Sequence, residues 1–119
     1  NQITEKNAAN IKASIIVELA NGPITPEWDD ILFTRQITVI PDILANSWWV
    51  IVSYFEQVQN NMNYYWDEEK VNTELHQKIT KATNTVYEMA HSTKTHLRNA
   101  AYIVAMKRVL DAMKDRWEF

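Results

Sequence analysis

Three histidines, His76, His91 and His96, and the fifteen carboxylates of the chain are the groups suited to holding a metal or moving protons. Their spacing does not gather them. Glu88 and His91 form one Glu-x-x-His step, which puts a carboxylate and an imidazole on one helical face, but a dinuclear carboxylate site needs two such steps and further glutamates. No metal site is expected. Ser53 has neither a base nor an oxyanion-forming turn beside it in the sequence, so it does not read as a nucleophile. Lys107 and Arg108 read as a solvated or salt-bridged helix face. The absence of cysteine excludes disulfides and thiolate ligands and fits a cytoplasmic protein. Glycine is the more telling absence: Gly22 stands alone among 119 residues. Loops that cradle phosphates need several glycines for tight turning and close backbone approach, so neither a dinucleotide-binding turn nor a P-loop can be built here. The chain carries indoles instead, at Trp28, Trp48, Trp49, Trp66 and Trp117.

The elements that must position these groups follow from periodicity. Asn7 to Ala13 reads as a short helical or turn segment. Ser14-Ile15-Ile16-Val17-Glu18-Leu19 is a β-branched run closed by the turn signal Asn21-Gly22-Pro23, which predicts a strand. Thr25 then offers a capping hydroxyl ahead of Pro26 at the first helical position. Glu27, Asp29 and Asp30 sit at the positive end of the dipole of a helix of about ten residues. Ile37 to Ile40 is a second short strand, and the three elements make a βαβ unit with parallel strands and a right-handed crossover. Residues Val50 to Phe55 favour a strand by propensity alone, whereas Val58 and Met62, four apart, suit a helix. Asp67-Glu68-Glu69 opens the next helix, in which Val71, Leu75, Ile79, Ala82, Val86 and Met89 recur at helical spacing. After the polar break Ser92-Thr93-Lys94-Thr95, a last helix runs from about His96 to Arg116. It carries two apolar stripes, for packing against more than one neighbour, and small residues at 100, 101 and 105 for close approach.

Length allows one small domain, 1–119, with a core of modest margin that docking onto a partner would support. The net charge of -3 comes from interleaved acidic and basic residues, so there is no phosphate-neutralising stripe and nucleic acid is not an expected partner. No apolar run reaches the roughly 20 residues of a membrane span, and the polar start has no signal-peptide pattern. No membrane association is expected.

Several blocks, in order and over almost the whole chain, resemble the glutamate dehydrogenase family, which includes the leucine, phenylalanine and valine dehydrogenases. They are Glu18-Leu19-Ala20-Asn21-Gly22-Pro23, Ile40-Pro41-Asp42-Ile43-Leu44-Ala45-Asn46, Val52-Ser53-Tyr54-Phe55-Glu56, Arg98-Asn99-Ala100-Ala101-Tyr102 and Lys107-Arg108-Val109. The resemblance implies an α/β fold: half of a Rossmann-type domain, with a short parallel sheet, followed by three helices, the first covering 50–65. It implies a parent that is a hexamer and oxidatively deaminates an amino acid with NAD or NADP. It places Asn21 and Gly22 beside the nicotinamide ribose and Asn46 near the nicotinamide. It places Val50 and Ser53 against the substrate side chain, with the serine hydroxyl serving a distal carboxylate. The family's catalytic lysine and aspartate and its glycine-rich turn belong to regions before Asn1. No catalytic residue and no cofactor site complete in itself are therefore expected in this chain.

Departures from the family pattern shape the functional expectation. Trp48 and Trp49 stand where the family has paired glycines, Gln36 where glycine is common, Trp28 where alanine is usual, Gln57 where tryptophan is usual, and Trp117 close to a terminal glycine. Indoles in place of paired glycines remove backbone access and volume from a coenzyme-facing helix start, which reads as engineering. Each indole buries about 150–250 Å², worth on the order of 4–6 kcal/mol as an upper bound. Association first costs roughly 4–15 kcal/mol. The expected function is a non-catalytic structural or interaction module, a homodimer or a binder of a designed protein partner, with Trp28, Trp48 and Trp49 as its interface. A binder of a foreign protein or ligand, and a fragment of a working oxidoreductase, are the competing readings.

Overall fold

A computed structural model describes residues 2–117, without the side chain of Trp117, so the contribution expected of that indole lies outside the described residues. The β-branched run forms β1 (Ile15–Val17), and the second forms β2 (Thr38–Ile40). They pair in parallel with Ile15 opposite Thr38 and Val17 opposite Ile40. Between them runs α1 (Pro26–Thr34), so the βαβ unit read from the sequence is present. Both strands are shorter than the apolar runs that predict them. Before them a single 3-10 turn (Ala8–Asn10) is clamped by Arg35, whose guanidinium donates to the carbonyls of Ala8 (2.6 Å) and Ile11 (2.9 Å).

After β2 come a one-turn helix α2 (Asp42–Ala45) and three long helices, α3 (Trp48–Met62), α4 (Glu68–Thr93) and α5 (Leu97–Trp117). The strand propensity of residues 50–55 is overridden: they are the interior of α3, whose Phe55 is buried against the Trp66 ring, 5.4 Å between centroids. Asp67 caps α4 as its position predicts, accepting from the Lys70 amide at 2.7 Å. Thr25 does not cap α1 with its side chain, which makes no such bond; its carbonyl accepts the Trp28 amide at 3.0 Å, and Pro26 holds the first helical position.

Alternation along β2 divides the interior. Val39 packs with Ile16 and Trp28 around Ile24, Leu32 and Ile37, while Ile40 packs around Leu44, Val86, Ala90, Ala100 and Ala101. Ala100 and Ala101 let α5 lie close on α4, whereas Ala105 is exposed. The buried stripe of α5 meets α4, β2 and α2. Its second stripe, Tyr102, Met106, Val109 and Met113, is exposed rather than packed. The outer face of β1, Ile15 and Val17, is exposed too. The accessible surface of 9115 Å² exceeds the roughly 6,700 Å² of a closed monomer of 14.0 kDa. The radius of gyration of 17.3 Å exceeds the roughly 13–14 Å of a closed domain of this length.

Glycine scarcity shows at the helix stops. Behind α1, Gln36 takes φ +61°, its amide bonds Phe33 and the Ile37 amide bonds Leu32, a Schellman closure with Ile37 against Leu32 in the core. Asn63 (φ +49°) and Lys94 (φ +53°) end α3 and α4 in the same left-handed conformation. A side chain there costs roughly 1–2 kcal/mol, less for asparagine. Gln36→Gly and Lys94→Gly are therefore each expected to stabilise the chain by about 0.5–1 kcal/mol, after the larger unfolded-state entropy of glycine is subtracted. Asn63→Gly should gain less. Urea midpoints of the three variants check this ranking.

Candidate functional site

Parallel strands direct their carboxyl ends to one edge of the sheet, where open α/β folds take their ligands. At this edge Val17 gives way to Glu18 and the turn 19–23, and Ile40 gives way to Pro41 and α2. The Glu18 amide still bonds the Ile40 carbonyl at 3.0 Å, one step beyond the paired strands. Glu18 is thereby drawn inward, and only 2% of it is exposed.

Around it three side chains from distant parts of the sequence converge. Arg98, at the start of α5, directs its guanidinium at three carboxylates: Nη2 to Glu18 Oε1 (2.6 Å), Nη1 to Asp42 Oδ1 (2.9 Å) and Nε to Asp29 Oδ2. The second oxygens are also satisfied. Glu18 Oε2 accepts from the Asp42 amide (2.7 Å), and Asp42 Oδ2 accepts from the Gly22 amide (2.8 Å). No buried side-chain polar atom lacks a partner among the described residues. Burial opposes charge on Asp42, but the amides of Gly22 and Ile43 and the Arg98 guanidinium outweigh it and hold this carboxyl below the ordinary aspartate value. Desolvation likewise opposes the Arg98 charge, yet its bonds to Asp29 and Glu18 hold it above the ordinary arginine value.

The same arrangement fixes the first group of residues singled out in the sequence. Asn46, at the end of α2, donates from Nδ2 to Asn21 Oδ1 (2.6 Å), while Gly22 takes φ +57° with its amide on Asp42. Asn21, Gly22 and Asn46 thus form one cluster on the carboxyl edge. A Cβ on Gly22 would meet nothing within 4 Å, so the space in front of this backbone is open. Val50 and Ser53 follow on the first turns of α3, both exposed. Trp48 and Trp49 stack with centroids 3.9 Å apart and 26° between planes; Trp48 is half-buried, and 64% of Trp49 is exposed. Trp28 is set apart from them, half-buried on the core around Leu32. Trp66 packs on Phe55 and lies under Lys70 Nζ, 4.7 Å from its ring. Among the described residues, no group of three or more histidines and carboxylates is placed to hold a metal ion, the three carboxylates of the cluster being closed on Arg98. His76 and His91 are exposed, and His96 lies 3.5 Å from Asp30.

In the sequence Glu18, Asp29, Asp42 and Arg98 stand only as parts of the family blocks or as helix-end charges. The available signal was Glu18 itself, a carboxylate directly behind a β-branched run, which requires a buried cation from elsewhere.

The profile of the Glutamate/Leucine/Phenylalanine/Valine dehydrogenase family matches residues 1–116. The NAD-specific glutamate dehydrogenase of Staphylococcus aureus (strain COL) is 53% identical over 116 residues, 98% of this chain and 28% of the relative. Among solved structures, glutamate dehydrogenase from Peptoniphilus asaccharolyticus is similar with a TM-score of 0.91 at 43% identity, over 98% of this chain and 30% of that one. The hetero-hexameric glutamate dehydrogenase from Thermus thermophilus, in its Leu-bound form, gives 0.92 at 25% identity, over 99% and 28%. The chain spans less than a third of the length of these relatives.

Two outcomes follow from the electrostatics. Arg98→Met leaves buried carboxylates without their cation and is expected to destabilise by about 3–5 kcal/mol in urea unfolding. Because the folded-state value of Asp42 is lowered, its contribution is complete above the unfolded value and is lost as pH falls through the folded one. The thermal midpoint should hold from neutrality to about pH 4 and drop below it, and Asp42→Asn should flatten part of that drop.

Proposed function

The chain belongs to the glutamate/leucine/phenylalanine/valine dehydrogenase family, and on that premise we propose that it is the coenzyme-side segment of an NAD-dependent glutamate dehydrogenase whose wall is closed by two indoles. The observation that carries this reading is the joining of Asn21, Gly22 and Asn46 beside open space at the carboxyl edge of the sheet. In the whole enzyme Asn21 and Gly22 face the nicotinamide ribose, Asn46 faces the nicotinamide, and Val50 with the Ser53 hydroxyl holds the substrate side chain. NAD, when bound, accepts the hydride that leaves the amino-acid Cα. The residues of this chain orient the two reactants, while proton transfer falls to groups outside these 119 residues. By itself the chain is non-catalytic.

The indoles change what the wall presents. Trp49 with Val50 (73% exposed) and Tyr54 makes an apolar surface at the start of α3, the kind of patch through which two copies associate. In this form the segment is an interaction module, self-associating through Trp48 and Trp49, with Trp28 supporting from the core. Deliberate substitution of the family's glycine pair accounts for that form.

A second reading is favoured by where the indoles fall: Trp48, Trp49 and Trp117 all occupy or adjoin glycine positions of the family pattern. A UGA codon read as glycine in the source cell appears as tryptophan under another code. With glycines there the wall is open, and the segment belongs to a working dehydrogenase.

Sedimentation and activity test the first reading. The chain should dimerise at about 100 µM, whereas W48G/W49G stays monomeric, with the helical signal retained because two helix-start glycines cost only about 2 kcal/mol. Joined to the remainder of a dehydrogenase subunit, W48G/W49G should oxidise glutamate with NAD at least about tenfold faster than the indole form, as expected if the indoles fill the coenzyme wall. Glutamate-dependent NAD reduction by the isolated chain, or equal activity of the two joined forms, overturns the reading. The intact mass of the protein from its native cells decides the second: glycine masses establish it, indole masses refute it.

A further inference from the structure

We propose that Arg98 is a positioning residue for the coenzyme-side loop, holding Gly22 in place through Asp42 although Arg98 itself lies 76 residues further along the chain. The proposal rests on the preceding reading of Asn21, Gly22 and Asn46 as that wall, and its physical content can be tested without coenzyme.

The contacts close into a ring. Arg98 holds Glu18 through Nη2 and Asp42 through Nη1, and the Asp42 amide returns to the other oxygen of Glu18. From this ring one arm leaves: Asp42 Oδ2 receives the Gly22 amide at 2.8 Å. A second tie, Asn46 Nδ2 to Asn21 Oδ1, joins the far end of α2 to the same loop. Each end of α2 is thereby tied to the turn behind β1. Arg98 supplies the cation of the ring, and its third contact, to Asp29, fixes its height against α1.

Asp42 is the member best able to move. Glu18 and Asp29 are buried, while 18% of the Asp42 side chain meets solvent. Without the guanidinium, three carboxylates repel across a poorly solvated space, and the one with a route to water rotates outward. Gly22 then loses its charge-assisted acceptor. Lysine cannot substitute, because a single ammonium cannot present three in-plane N–H groups to three separate carboxylates.

Gly22 provides a direct readout, since it is the only glycine of the sequence and nitrogen-15 glycine labelling gives one amide signal. In the native chain that amide should be shifted toward a strong hydrogen bond and protected from solvent exchange. In Arg98→Lys it should move toward the unstructured position and lose at least about tenfold of its protection while the helical signal persists. An anchor that merely fastened α5 would lower the unfolding midpoint and leave the Gly22 signal in place; that result overturns the proposal. Should Arg98→Lys not fold, Asp42→Ala decides. It removes both acceptor oxygens and so breaks the arm while leaving Arg98 its bonds to Glu18 and Asp29, and an unmoved Gly22 signal there likewise overturns it. If Gly22 moves as expected but the glycine-restored enzyme of the preceding section gains no activity, the relay stands and the coenzyme assignment fails.

Discussion

One guanidinium facing three carboxylates is the constraint on which the rest of this structure depends. Glu18 follows β1, Asp29 lies in the first turn of α1, Asp42 opens α2, and Arg98 opens α5. Four elements are therefore held to one point, with sequence separations of up to 80 residues. A short sheet of two three-residue strands could not fix these elements by its own pairing. The formal excess of negative charge is tolerable because Glu18 and Asp42 each accept a backbone amide as well, and Asp29 sits where the dipole of α1 is positive. Such a cluster adds less net stability than its contacts suggest, since four charged groups have left water. What it adds is a unique geometry: apolar packing tolerates small shifts, whereas a planar fork meeting three acceptors does not.

Around that fixed point the backbone works under a shortage of glycine. Three helices stop at residues forced into the left-handed region, Gln36, Asn63 and Lys94, and only asparagine is suited to it. The one glycine sits elsewhere, at φ +57° on the carboxyl edge, with no atom in the way of a side chain. Crowding from within the chain is thus not what requires glycine at 22. Conformation favours it there, although Gln36 and Lys94 show that the same region admits a side chain at a cost, and the open space in front of it suits a ligand that approaches bare backbone. Trp48 and Trp49 follow Asn46 by a short step along the chain and stack on each other, with Trp49 largely in water.

How much of this could be read from residues alone depended on whether the signal was local. The βαβ unit, the capped start of α4 and the apolar stripe from Val71 to Ala90 rest on neighbours within a few positions, and each is present. Thr25 failed as a cap because the Trp28 amide bonds the Thr25 carbonyl at 3.0 Å and leaves the hydroxyl without that partner. Residues 50–55 misled propensity because it does not register a partner such as Trp66, on the far side of a turn, against which Phe55 is buried in the helix. Family likeness corrected that reading where periodicity could not. The same likeness singles out Asn21, Gly22 and Asn46, but not the bond between the two asparagines, which spans 25 positions. The Arg98 cluster was illegible for the same reason: no local pattern says which of many acidic side chains a buried arginine will meet.

The open surfaces complete the physical argument. A parallel strand is ordinarily covered on both faces, yet β1 is covered on one, by Ile16, while Ile15 and Val17 are exposed. Helix α5 repeats the pattern, with Ala100, Ala101 and Val104 inside and Tyr102, Met106, Val109 and Met113 outside. Exposed apolar area of this extent is unfavourable in water unless something covers it. The polar edge behaves in the opposite way, because its hydrogen bonds are already closed within the chain. Order at the candidate site therefore does not depend on what covers the apolar faces: the charges set the geometry of the loop, and the uncovered faces determine only what the segment must lean on.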